Sequence, residues 1–271
     1  MSNRKTIIGY NRTVRLSWLE YTAERVASGC SEAEIVAGLR NLLMDQLSLG
    51  SKAKRGSREK TITLLLKTWV RVPSSLREFR DRGIDMFKSY GSEEHLALHW
   101  GMSMAAYPFF GAMAEVVGRL LRLQGEAAAP QVQRRARETF GERETVARSA
   151  RYVLRAFVDW GVLKEDGQRG IYTHGKILPV SASRLIAWLV EALLRVIPNG
   201  TCPLKAVLNS PSFFPFILKT GPSRFFCASG QIEVIRHGLD EDLVTLHKSK
   251  GTAVPANNSV QAENIALTSP A

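Results

Sequence analysis

Residues Gly141 to His174, GERETVARSARYVLRAFVDWGVLKEDGQRGIYTH, constrain the fold more than any other part of the 271-residue chain. Val146, Ala150, Val153, Leu154 and Phe157 fall on one side of a helix running from about Glu142 to Trp160. Gly161 ends that helix. Val162-Leu163-Lys164 then opens a strand, Asp166-Gly167 supplies a hairpin turn, and Gly170-Ile171-Tyr172-Thr173 returns. The residues before this stretch fit the same plan. Met113, Val116, Val117, Leu120 and Leu121 line a helix ended near Gly125, and Glu126 to Ala129 can extend briefly. Pro130 suits a first helical position, where its missing N–H costs nothing. Val132, Ala136 and Phe140 then repeat at four-residue spacing, and Gly141 permits a tight turn. A helix, a short strand, two further helices and an immediate hairpin, in that order, predict a winged helix-turn-helix over residues 111–176.

The outward side of its third helix carries chemistry suited to nucleic acid. Arg148, Tyr152 and Arg155 lie opposite the apolar stripe, flanked by Thr145, Ser149 and Arg151. Cations and hydrogen-bonding side chains in that arrangement read base edges and phosphates in a major groove. Arg134 and Arg135 on the second helix, and Lys164 and Arg169 on the hairpin, are expected to hold phosphates. Against this, Glu144 and Asp159 sit on or beside the same face and repel phosphate. A net charge of +12 and a pI near 9.9 favour an anionic partner, nucleic acid first. The expected partner is duplex DNA.

The first 110 residues read as a helical bundle without strand alternation. Helices are expected over Val14 to Ala27, from the capping-box pair Ser31 and Glu34 to about Leu49, over Glu59 to Val70, and from a second such pair, Ser75 and Glu78, to Tyr90. Helices over Glu93 to Ala106 and Phe109 to Leu123 follow. Gly50 to Lys60 forms a basic loop in which Lys52, Lys54 and Arg55, with Arg58 and Lys60, either add a second phosphate contact or serve as a solvated linker. Leu96 to Ala114 contains no Asp, Glu, Lys or Arg, but its His99, Ser103, Pro108 and two glycines favour a buried helical hairpin over a membrane span. Three scattered cysteines and no secretory leader pattern predict a reducing, cytoplasmic setting.

The segment 177–247 is expected to be a small α+β addition. Ser181 to Val196 is an apolar helix that either covers the protein's own core or dimerises it. PSFFPFIL supplies the aromatic anchors Phe213, Phe214 and Phe216, and strands over Gln231 to Arg236 and Leu243 to Leu246 form a hairpin. Asp240, Glu241 and Asp242 read as a solvated acidic tip, and residues 248–271 as a disordered tail. The fold class is therefore mainly α, with a winged helix and a small α+β segment after a helical bundle.

Other residues resemble catalytic or metal sites without completing one. His95 and His99 lie one helical turn apart, yet the glutamate of a zincin motif and a third ligand are missing, so a hydrogen-bonded core histidine is expected. The sequence carries no phosphate-cradling glycine loop, dinucleotide fingerprint, nucleophile elbow or nuclease-like carboxylate cluster. A non-enzymatic protein without cofactor or metal is expected.

Two runs, HLALHWGMSMAAYPFFGAMAEVVGRLL and RETVARSARYVLRAFVDWGVL, resemble the BrxA-like helical, winged-helix proteins of BREX phage-defence islands in architecture. The resemblance covers about Trp18 to Ile171 and implies DNA binding, with other defence proteins as further partners. Three rival readings stand beside this one: a scaffold that docks through the winged helix and the aromatic C-terminal segment, RNA binding by the helical half, and a nuclease or other enzyme whose metal-dependent activity would need His95 or His99.

Overall fold

The computed structural model describes residues 8–47, 56–165, 167–219, 231–237 and 241–247. It is mainly helical, with a small sheet part. Helices α1 (Leu16–Ala27), α2 (Glu32–Leu42), α3 (Ser57–Trp69) and α4 (Arg77–Ser89) precede α5 (Ser92–Ala106); α1, α3 and α4 pack against α5, and α2 packs on α1 and α3. Ser31 and Glu34 form the expected reciprocal cap at the start of α2. That helix stops at Leu42, short of the expected Leu49. The Gln46 carboxamide donates to Leu42 O and accepts from the Trp18 indole, which ties the chain into a turn there. The Ser75–Glu78 cap does not form. Ser74–Leu76 instead makes a 3₁₀ turn, and buried Leu76 enters α4 without a side-chain cap.

Every residue from Leu96 to Met104 is buried, the polar His99 and Ser103 included, because other elements cover α5 on all sides. Among the described residues no helix is long and apolar enough to cross a membrane. Tyr107 takes the extended backbone that a following proline imposes, and Pro108 starts α6 (Pro108–Gln124). Gly125, with φ of 78°, closes α6 in the left-handed conformation that glycine adopts without strain.

After α6 come β1 (Ala127–Ala128), α7 (Ala129–Phe140), α8 (Glu144–Asp159), β2 (Leu163–Glu165) and β3 (Ile171–His174). The strands form an antiparallel sheet in the order β1-β3-β2, with Tyr172 of β3 between Ala127 and Glu165. Next are β4 (Leu178–Val180), α9 (Ser183–Leu194), β5 (Thr201–Pro203), α10 (Leu204–Leu208), a 3₁₀ turn at Pro211–Phe213 and β6 (Phe216–Leu218), which pairs parallel with β4. Strands β7 (Ile232–His237) and β8 (Glu241–Leu246) make the expected hairpin, extended by β5. Asp242 belongs to β8, opposite Arg236, and Glu241 begins that strand, so these two residues are strand rather than acidic tip. Asp240, the basic Lys52, Lys54 and Arg55, and residues 248–271 lie outside the described residues.

One apolar core runs through all these segments. Trp100 of α5 is its hub, stacked on Phe157 of α8 at 4.9 Å and touching Phe110, Trp160, Phe214 and Phe216 edge-on. Its indole N–H donates to Ser212 O at 3.1 Å. Phe110 lies within α6. Gly118 of α6 admits the chain at Pro211, where a Cβ would lie 1.9 Å from the Pro211 carbonyl oxygen. Helix α9 is buried on nearly every side, with Leu185, Ile186, Trp188, Leu189 and Val190 all inside. Its apolar surface covers the protein's own core. Its buried Glu191 is bound by Arg82 from α4 and by Arg195, which supplies the counter-charge a buried carboxylate needs.

Candidate nucleic-acid interface

Helix α8 is held by its apolar side and its ends. Val146, Ala150, Val153, Leu154 and Phe157 are buried as the periodicity requires. Trp160, just past its end, is also buried and donates from Nε1 to Val14 O at 2.9 Å. Ser149 is buried too, 3% exposed, and is not part of the outer face. It lies about 100° around the helix from Arg148, beside Ala156, where α8 is still covered. The exposed strip is thus narrow: Thr145, Arg148, Arg151 and Arg155 stand out, with Tyr152 half-buried at its edge.

The acids on this face are occupied. Arg151 binds Glu144 at 3.0 Å. Asp159 accepts the Leu16 N–H at the start of α1, at 2.9 Å, and lies 4.0 Å from Arg15. There it stabilises the positive end of α1. Among the described residues Arg148 and Arg155 have no carboxylate within ion-pair distance, and neither do Lys164 and Arg169. By contrast, Arg134 and Arg135 both pair with Glu138, at 3.7 and 3.0 Å, so the phosphate role expected for α7 competes with an internal partner. Exposed pairs of this kind are worth about 0–1 kcal/mol, an amount a phosphate can replace.

The hairpin stands beside α8. Its turn is fixed by Glu165, whose carboxylate accepts the Gly170 N–H at 2.5 Å, while Gly170 O accepts from Ala129 N at the start of α7. Glu165 is exposed but engaged by this bond, and Arg169 is exposed beside it. Tyr172 records how close the two elements come. Burial and Glu165 push its hydroxyl up from the ordinary tyrosine range, while Arg155 from α8 and Arg169 from the turn oppose that shift. Cations of the helix and the hairpin therefore share one neighbourhood.

One cation was not anticipated. Arg12 lies over the Tyr152 ring, 5.8 Å from its centroid. The sequence signal was NRTVR just before the first helix, which has no periodicity to assign it to a face.

His95 and His99 belong elsewhere. Glu20 of α1 bridges them, Oε1 to His95 Nδ1 at 2.5 Å and Oε2 to His99 Nε2 at 2.8 Å. The Trp69 indole, which can only donate, reaches His99 Nδ1 at 3.2 Å. His99 therefore carries its hydrogen on Nε2 and gives it to Glu20, which commits both ring nitrogens. Burial pushes the His99 imidazole down from its ordinary value, against the pull of Glu20. Burial also raises Glu20, but the bonds from His99 and His95 together hold its carboxyl below the usual range. The cluster fastens α1 to α5.

No protein-family model, curated protein or solved structure matches this chain.

Proposed function

We propose that the chain is a non-enzymatic duplex-DNA-binding protein in which residues 112–174 form a winged helix-turn-helix. The element order α6, β1, α7, α8, β2, β3 and the strand order β1-β3-β2 support that reading. In it α8 enters the major groove with Thr145, Arg148, Tyr152 and Arg155, and Lys164 and Arg169 of the hairpin hold phosphates. The observation that carries it is the state of the charges. Glu144 and Asp159 are occupied by internal partners while Arg148 and Arg155 remain exposed and unpaired by any carboxylate among the described residues. A basic chain with such a face gains affinity by releasing counterions from DNA. The BrxA-like resemblance suggests a place in a phage-defence system alongside other defence proteins, and the scattered cysteines suggest a cytoplasmic setting.

The test is fluorescence anisotropy of a labelled random duplex over a salt series, with wild type beside Arg148→Ala/Arg155→Ala. Binding that weakens with salt and drops at least tenfold in the double variant is the expected result. Binding indifferent to both arginines would remove α8 from the interface.

A scaffold role is favoured by a different feature. Ile177 and Ile217, 46% and 55% exposed, flank Pro179 on the outer side of the β4–β6 pair. Docking through this segment would use these residues, because Phe213 and Phe214 are buried in the core.

A further inference from the structure

We infer that Arg12 is a phosphate contact of the same interface, on the flank of α8 away from the hairpin, so that the site grips both strands of a duplex. The inference rests on the DNA-binding reading of α8 and extends it to a segment outside the helix-turn-helix.

The segment before α1 is pinned along the C-terminal half of α8. Tyr10 is buried between Tyr107 and Phe110, with ring centroids 5.5 Å away in each case. Val14 is fully buried and accepts the Trp160 indole N–H, and Leu16 N donates to Asp159. Between these anchors Arg12 has little choice of direction. Its guanidinium sits over the Tyr152 ring and spends one donor on Asn11 O at 2.6 Å. No carboxylate among the described residues pairs with it. Four of its five N–H donors therefore stay available to an oxyanion.

The position gives the two-sided grip. Tyr152 and Arg155 diverge by about 60° around the helix axis. Arg155 acts on Tyr172 of the hairpin sheet together with Arg169, whereas Tyr152 carries Arg12. A helix lying in a major groove about 12 Å wide has a phosphate chain on either side. The hairpin cations meet one chain, and Arg12 meets the other. Its contact is to backbone, so it adds affinity without sequence preference.

The experiment is the same salt series on a random duplex with Arg12→Ala, Arg12→Lys, Arg169→Ala and Arg148→Ala/Arg155→Ala, each checked for an unchanged circular dichroism spectrum. Arg12→Ala is expected to weaken binding several-fold and to reduce the slope of log K against log salt by about 0.9, the value for one lost phosphate contact. Arg12→Lys restores the slope, and Arg12→Ala/Arg169→Ala loses about twice that amount. An unchanged Arg12→Ala beside a weakened Arg148→Ala/Arg155→Ala overturns this inference and leaves the DNA reading standing. A loss in Arg12→Ala with none in the α8 double variant overturns the shared interface. Wild type that does not bind at low salt defeats both.

Discussion

At the scale of single residues, hydrogen-bond partners decided roles that spacing left open. His95 and His99 have the separation of metal ligands, yet Trp69 and Glu20 consume both nitrogens of His99. The consequence is a pH dependence of known sign. His99 is held below its ordinary pKa of 6.5, so the unfolded chain takes up a proton first as pH falls. Stability therefore declines from about pH 6.5 downward. Glu20, held below its ordinary 4.5, contributes stability above that value and loses it as pH falls through the lower folded value. Both effects destabilise the acid side. Thermal melts between about pH 7 and pH 4 should show a steady fall in Tm. His99→Gln, which keeps a donor and an acceptor but cannot titrate, should flatten the upper part of that curve. Equal slopes in the two proteins would refute the assignment. Gly118 gives a second prediction. Gly118→Ala drives a methyl group against the Pro211 carbonyl, a backbone atom that cannot swing aside. Urea unfolding should show a loss of about 1–3 kcal/mol or more, and a neutral outcome would mean that the turn at Pro211–Phe213 is not seated as described.

At the scale of elements, the helices and the hairpin after α8 were readable because each rests on a local signal: apolar residues at helical spacing, a capping pair, or a glycine at a turn. The pairing of β4 with β6 was not, since a parallel pair of short strands joins residues far apart in sequence and leaves no local pattern. The Ser75–Glu78 cap failed because spacing alone does not place a helix start when buried Leu76 sets the entry. In the candidate site, Arg148, Arg155, Lys164 and Arg169 were legible as outward cations, whereas the pairing of Arg134 and Arg135 with Glu138 and the burial of Ser149 depend on packing. Helix and hairpin should behave differently under mutation. Lys164→Ala and Arg169→Ala should each weaken duplex binding modestly and equally for all sequences, lowering the salt slope by about 0.9 per contact. Sequence-dependent losses from either would move base reading to the hairpin. Phe213→Ala, in contrast, should destabilise the fold by about 3–5 kcal/mol, measured by denaturant unfolding. A Phe213→Ala protein of wild-type stability would reopen that residue as a docking site.

At the scale of the whole molecule, the helical bundle, the α8 region and the C-terminal segment share the aromatic core around Trp100. The outer face of α8 is thereby presented on a rigid support, its position fixed by α1 through Asp159 and by the segment carrying Arg12. The most direct test is amide hydrogen exchange with and without a random duplex. The first amides of α8, residues 144 and 145, precede the first hydrogen bond of the helix, in which Val146 N–H donates to Arg143 O at 2.9 Å, and together with the hairpin turn at 167–170 they report on the proposed surface. The account predicts slowed exchange at both places and no change in the β7–β8 hairpin or around the β4–β6 pair. Protection confined to the helices of the N-terminal bundle, or to Ile177 and Ile217, would contradict it and assign the interface elsewhere.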